Sequence, residues 1–357
     1  MNKKQRTIRG FTLIELLVAI AILAIVLSFA GVIFRVSIDS HRIAIANAEI
    51  MQKLRAITDQ LNADFKGLRK DGEIFIVWTA SLKAGANPND PNSYERFDRI
   101  MFFADGDFQS YGVNHPIVRG NLARICYMLA KRGNLPVQQQ NRAKRILARS
   151  QHILTADTSI PYVDPNTFST DQQWYIWNNL LEYDKMFLEE WKNIPWQNKQ
   201  NMLSVITDVR VDSPTVPDRV WGANVNPADP NSIHKLLCEG VGEFKIQGWF
   251  DAQRRWIPEH DINGDGRLTG AADSDFFLIS GTNQPNPDSW PRVLYPYPPY
   301  GNVTINNINY PRQWVDEAHF YMIPGLGQAL KFTFTLYDSK GVIKNGRTFT
   351  HIVYLGD

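Results

Sequence analysis

Asp261, Asn263, Asp265, Arg267, Thr269 and Asp273 have the most ligand-like spacing in this chain of 357 residues. The run from 261 to 269, DINGDGRLT, sets side-chain oxygens at alternate positions. Gly266 permits the sharp turn that lets them converge on a hard cation, and Arg267 would add its carbonyl. The twelfth position of such a loop needs an acid, and here it is Ala272, with Asp273 and Asp275 just beyond. An irregular calcium site closed by Asp273 or Asp275 therefore competes with a metal-free Asn/Gly/Asp turn. Catalytic patterns are missing from the sequence. Histidines at 41, 115, 152, 234, 260, 319 and 351 form no H-E-x-x-H and no paired metal spacing, and neither a G-x-S-x-G elbow nor a P-loop occurs. Glu189-Glu190 reads as the solvated face of a helix. The expectation is a protein without catalytic turnover and with no cofactor beyond that calcium.

Composition narrows the class. Hydrophobic residues at 44% and charged residues at 21% are ordinary globular usage, which excludes a disordered or collagen-like chain and a polytopic membrane protein. The formal net charge is +2, of which Lys3, Lys4, Arg6 and Arg9 supply +4. The remainder is close to neutral and gives no electrostatic case for nucleic-acid binding. Two cysteines, Cys126 and Cys238, exclude a disulfide framework and multi-cysteine zinc modules. They fit one disulfide in an oxidising compartment or two buried thiols.

Residues 11–34, FTLIELLVAIAILAIVLSFAGVIF, carry a single charge and follow the basic leader. A helix of that length spans roughly 36 Å, enough for a hydrocarbon core of about 30 Å. Basic residues before it keep the leader cytoplasmic and send the rest across. A secretory signal has a shorter apolar core, of about 7–15 residues, so this segment reads as a retained anchor. Glu15 stands inside it. An acid in a membrane span costs a few kcal/mol even on the lenient insertion scale and calls for a partner. Thr12-Leu13-Ile14-Glu15 fits a capping box, which is one local answer.

The hexapeptide Gly10-Phe11-Thr12-Leu13-Ile14-Glu15, between basic residues and an apolar stretch, resembles the prepilin processing motif of type IV pilins and type II secretion pseudopilins. The resemblance implies that a prepilin peptidase cuts between Gly10 and Phe11 and that the new amine at Phe11 is methylated. It also implies that Glu15 pairs with an amine, a neighbouring subunit's or its own, during assembly. The loop at 261–269 is likewise similar to those of EF-hands and dockerins.

Beyond the span, Ile43, Ile50, Leu54, Ile57, Leu61, Phe65 and Leu68 recur at helical spacing, with charges on other faces. One helix over about 12–66 is expected, stopping at Gly67, with no proline to kink it as many major pilins have. Strands are expected at 71–78, 99–104, 123–129, 145–154 and 232–250, with a terminal hairpin of 330–337 and 347–355. Trp174, Trp177, Leu180, Leu181, Asp184, Phe187, Leu188 and Trp191 suggest an amphipathic helix, and 198–209 another. The proline-rich stretch 283–312 reads as a long surface loop.

This order is similar to that of the J-type minor pseudopilin, with Leu236, Leu237, Val241, Phe244 and Trp249 in the matching strand. The resemblance covers 8–66, 71–154 and 232–357, and is absent over about 157–230. It implies an α+β pilin-like fold: a long N-terminal transmembrane and amphipathic helix packed on antiparallel β-sheets, with a helical insertion. The segments are a leader (1–10), a transmembrane helix (11–34), its amphipathic extension (35–68), and a periplasmic or extracellular β-rich domain (69–357) interrupted at about 157–230. The expected function is a minor pseudopilin at the tip of a secretion pseudopilus, single-pass in the inner membrane. Its expected partners are prepilin peptidase, other pilins and the membrane, without nucleic acid. Alternatives are a minor type IV pilin for adhesion or DNA uptake, or a membrane-tethered enzyme or sugar-binding domain.

Overall fold

A computed structural model describes residues 12–110 apart from six positions between 70 and 89, and then 117–132, 137–156, 183–194, 236–250, 254–259 and 329–355. It also describes short strands at 210–211, 224–225, 290–295, 302–305, 308–311 and 322–324. Helix α1 (Leu13–Lys66) opens the fold. Then follow β1 (Ile74–Trp78), β2 (Ala80–Leu82), β3 (Tyr94–Arg96), β4 (Arg99–Gln109), β5 (Arg119–Leu129), β6 (Lys131–Arg132), β7 (Ile146–Thr155), β8 (Tyr183–Lys185) and the short helix α2 (Leu188–Asn193). The rest is β9 (Arg210–Val211), β10 (Asn224–Val225), β11 (Leu236–Glu239), β12 (Val241–Phe250), β13 (Arg255–Ile257), β14 (Trp290–Tyr295), β15 (Asn302–Ile305), β16 (Ile308–Pro311), β17 (Met322–Pro324), β18 (Ala329–Leu336) and β19 (Arg347–Tyr354).

The main sheet runs β11-β7-β5-β4-β1-β14-β17, with β8 added beside β7, and a second sheet runs β13-β12-β18-β19. In these two sheets most pairings are antiparallel; β7 with β8 and β14 with β17 are parallel. The second half of α1 and the second sheet share one core with the main sheet. Ile50, Ile57, Leu61 and Phe65 of the helix join Ile100, Phe102, Ile125, Tyr127, Phe244, Phe332 and Phe334 there. Phe65 stacks on Phe102 at 4.2 Å. A buried Arg96–Asp98 pair ties the β3–β4 corner to β12, where the Ile246 N–H donates to Asp98 at 2.7 Å.

Several strands lack polar–apolar alternation because the main sheet is covered on both faces, as unbroken apolar runs in sheets usually signal. Along β4, Ile100, Phe102 and Ala104 face the helix, while Met101 and Phe103 face the other way. That outer face is closed by part of the insertion expected at about 157–230. Met186, Leu188, Trp191 and Ile194 pack on Phe75, Met101, Phe103, Cys126 and Met128. Trp191 is fully buried, edge-on to Phe75 and Phe103 at 6.3 and 5.5 Å. Trp191→Ala is expected to cost about 3–5 kcal/mol, since a large aromatic leaves a cavity the sheet cannot refill. A urea titration followed by fluorescence measures it; a loss under about 1 kcal/mol would reduce α2 to an ornament.

Three expectations need correction. Within the helix expected across 174–191, the described residues 183–185 instead form β8, because their backbone pairs with β7 from Ile153 to Thr155, and α2 starts at Leu188. Glu189 is solvated as expected, but Glu190 accepts a hydrogen bond from the Phe187 N–H at 2.8 Å. Residues 174–181 and 198–209 lie outside the described residues. Second, the run 232–250 is not one strand: it divides at Gly240, β11 joining the main sheet and β12 the second. Gly240 has φ +84°, and a Cβ there would sit 2.7 Å from the Tyr337 carbonyl oxygen. Third, the proline-rich stretch is not all loop. Strand β14 pairs antiparallel with β1, Val293 opposite Phe75, and β15 with β16 form a hairpin. Pro291 stands near the start of β14, where a missing N–H costs the ladder least.

The terminal hairpin matches its expected form, with eight successive pairs from Ala329↔Tyr354 to Leu336↔Arg347. Both cysteines are buried free thiols. They sit on strands separated by β7 and belong to opposite faces of the sheet, so no disulfide geometry exists between them. Burial pushes each thiol up to about 11, which leaves both unreactive.

Candidate functional site: the amino-terminal helix and its anchorage

Helix α1 is 54 residues long, roughly 81 Å at about 1.5 Å per residue, and unbroken. Its start is the expected capping box. The Thr12 N–H and Oγ1–H each donate to Glu15 Oε2 at 2.9 Å, and the Glu15 N–H donates to Thr12 Oγ1 at 3.3 Å. Gly10 and Phe11 lie outside the described residues, as do Asp261, Asn263, Asp265, Arg267, Thr269 and Asp273. Among the described residues, no group of three or more His, Cys, Asp or Glu is placed to hold a metal ion.

The first half of the helix is bare. Every large apolar side chain from Leu13 to Val36 for which burial is described stays exposed, and the apolar window reaches a mean hydropathy of 3.0 with none of it covered. Such a surface needs lipid or neighbouring helices around it. Ile43, the first residue of the expected stripe, is still 47% exposed; packing begins at Ala46 and Ile50. Leu54 is partly buried, and Leu68 lies past the helix in a bridge with Ala104. Gly67 is the stop, although its φ of −89° is not left-handed. Its requirement is space: a Cβ would sit 2.0 Å from the Asp105 carbonyl oxygen, because β4 crosses there.

Polar contacts fix the packed half at both ends. Near its beginning, Glu49 accepts from the Ser339 N–H at 2.9 Å and pairs with Lys53 at 2.8 Å, while Lys53 donates to the Tyr337 carbonyl at 2.8 Å. Near its end, the buried Asp64 receives two hydrogen bonds from Arg149 at 2.6 and 2.7 Å, one from Gln60 at 3.1 Å and one from the Tyr127 hydroxyl. Burial opposes the Arg149 charge, but Asp64 outweighs it and holds the guanidinium above its usual value. Burial and the same carboxylate push the Tyr127 hydroxyl well up. Sequence reading missed this knot. Its one visible signal was a carboxylate three residues after Leu61, on the apolar stripe.

Perturbed groups also occur far from the helix. Lys245 lies 2.9 Å from Glu259. Burial opposes the Glu259 charge, yet Lys245 and Gln247 hold it down to about 2. Burial, with Lys245 nearby, lowers Lys331 to about 8, and Trp256 lies 4.9 Å from its ammonium. The ion pair and the aromatic contact account for this cluster as a brace between β12, β13 and β18.

The family model of the prokaryotic N-terminal methylation motif matches residues 5–31, which takes in Gly10 and Phe11, Glu15 and most of the apolar run. No curated protein and no solved structure matches the chain. The motif supports a type IV pilin-like, prepilin-type protein, and the fold agrees: a long apolar amino-terminal helix leading into antiparallel sheets. It implies processing by prepilin peptidase and assembly with other pilins. A single membrane span is the corresponding anchor.

Proposed function

We propose that this chain is a J-type minor pseudopilin, an assembly subunit at the tip of a type II secretion pseudopilus, with no catalytic turnover. The observation that carries the reading is the methylation motif running straight into a helix that is bare over one half and locked under two sheets over the other. Such a helix is built to leave a bilayer and pack among similar helices while its domain rides outside. The choice of J-type rests on element order: Val241 and Phe244 are fully buried in β12, Trp249 follows them, and a terminal hairpin closes the chain. The body would lie on the periplasmic side, given the basic leader.

Intact-mass measurement of the membrane-extracted protein is the first test. The mature species should begin at Phe11 and carry one added methyl; one beginning after residue 30 would indicate an ordinary signal peptide. Deleting the gene should then impair secretion and leave adhesion intact, whereas the reverse outcome would favour an adhesive pilin.

Calcium binding through Asp261, Asn263, Asp265 and Asp273, with Arg267 and Thr269 in the loop, is part of the same proposal. A ligand that binds the native state alone at about a hundredfold over its Kd adds roughly 2.7 kcal/mol. Thermal melts with millimolar calcium and with chelator should therefore separate clearly. Superimposed curves would leave the loop a plain turn.

A further inference from the structure

Where the bare part of α1 meets the β18–β19 turn, a cleft of about 340 Å³ opens between Arg42, Ile45 and Glu49 of the helix and Asp338, Lys340 and Val342 of the turn. Its two acids are occupied within the protein. Asp338 is buried and accepts from the Val342 and Ile343 N–H groups at 2.9 and 2.8 Å. Glu49 is held by Ser339 and Lys53. Its two cations are exposed, and among the described residues neither Arg42 nor Lys340 has a carboxylate partner. The lining itself carries two cations and two carboxylates; because Lys53 offsets Glu49, one positive charge is left in excess, over a wall formed by Ile45 and Val342.

Its position selects the anion. Arg42 is eight residues past Phe34, the end of the apolar run, hence about 12 Å further along the axis. The polar region of a bilayer fills roughly 5–7 Å of that distance, and an extended arginine spans most of the rest. Arg35, Lys344 and Arg347, all exposed, add positive charge at the same end of the domain and outnumber the one exposed acid between Arg35 and Arg42, Asp39. Tethering by the span keeps headgroups at a high effective concentration there, which a free anion does not share.

We propose that this cleft binds the phosphate of an anionic phospholipid headgroup and seats the base of the domain on the membrane before the subunit joins a filament. The inference rests on the reading of residues 11–34 as a membrane span. Release of the chain by alkaline carbonate, without detergent, would overturn that reading separately.

The test is native mass spectrometry of the processed full chain in detergent, titrated with phosphatidylglycerol or phosphatidylcholine. Phosphatidylglycerol should be retained about tenfold more, as expected for two cations near one anionic group. Arg42→Gln with Lys340→Gln should abolish that preference, while Lys344→Gln, outside the cleft, should keep it. The melting curve of the double variant should match the parent's, since both side chains are exposed. Equal retention of the two lipids overturns the proposal. So does an equal loss in Lys344→Gln, which would mean diffuse attraction. Displacement of phosphatidylglycerol by an equal concentration of inorganic phosphate would assign the cleft to a free anion instead.

Discussion

Asp64→Ala is expected to lower the unfolding free energy by about 3–5 kcal/mol, because removing one member of a buried ion pair strands the other. Asp64 is 6% exposed and takes both Arg149 contacts as well as the Tyr127 hydroxyl. Without it, a mostly buried guanidinium is left with Gln151 at 3.1 Å and the Tyr127 hydroxyl, neither of which carries a compensating charge. Replacing Arg149 by methionine in the same chain should recover much of the loss, since an apolar pair of similar volume avoids the desolvation cost. Urea unfolding of the parent, the single variant and the double variant measures both effects. A single-variant loss below about 1 kcal/mol would show that the helix is held by its apolar stripe alone. The expected consequence is mechanical as well as thermodynamic. Asp64 lies in the last turn of α1, where the helix meets β5 and β7, so loosening it should also weaken transmission of force from the anchor to the sheets.

Glu15→Val should leave membrane insertion and cleavage intact while recovery of partner pilins falls about tenfold, an effect of about 1.4 kcal/mol. The carboxylate accepts from Thr12 twice, so within one chain its bonding capacity is partly met. A carboxylate in hydrocarbon is costly, and the Thr12 hydrogen bonds supply no counter-charge. Cleavage after Gly10 would supply an ammonium at Phe11, four residues from Glu15 in sequence. Pairing between subunits would set their axial register, which apolar helix faces in lipid cannot do by themselves. Co-purification of the variant with its partners from detergent-solubilised membranes is the measurement. Full recovery together with normal secretion would confine Glu15 to the capping box. A subunit at the extreme tip has no neighbour above it, so a smaller loss is expected there than deeper in the filament.

The parts of this protein legible in the sequence are those fixed by local rules. The span, its basic flank and the capping box follow from hydropathy and spacing along one helix, and the helix end at Gly67 fell where expected. The apolar parts of β4, β5 and β7 and the terminal hairpin were readable from their strand-like runs, whereas the extension of β4 to Gln109, the start of β5 at Arg119 and the pairing of β4 with β5 were not. The division of 232–250 was not readable. Gly240 looks like any glycine in a strand run until the Tyr337 carbonyl, nearly a hundred residues away, approaches it. The same holds for Trp191: helical spacing marked it as a packing residue, yet only the sheet could show that it packs on Phe75 and Phe103 across the outer face. Asp64 needed Arg149 and Tyr127 from two other strands before its place on an apolar stripe made sense. Sequence alone determined where the helix begins and how apolar its first half is, because those depend on neighbours three or four residues apart; its end at Gly67 was legible, but the approach of Asp105 that demands a glycine there was not. Tertiary structure decided which strands share a sheet, which face each run buries and how the charges pair, because those depend on contacts whose sequence separation no local pattern encodes.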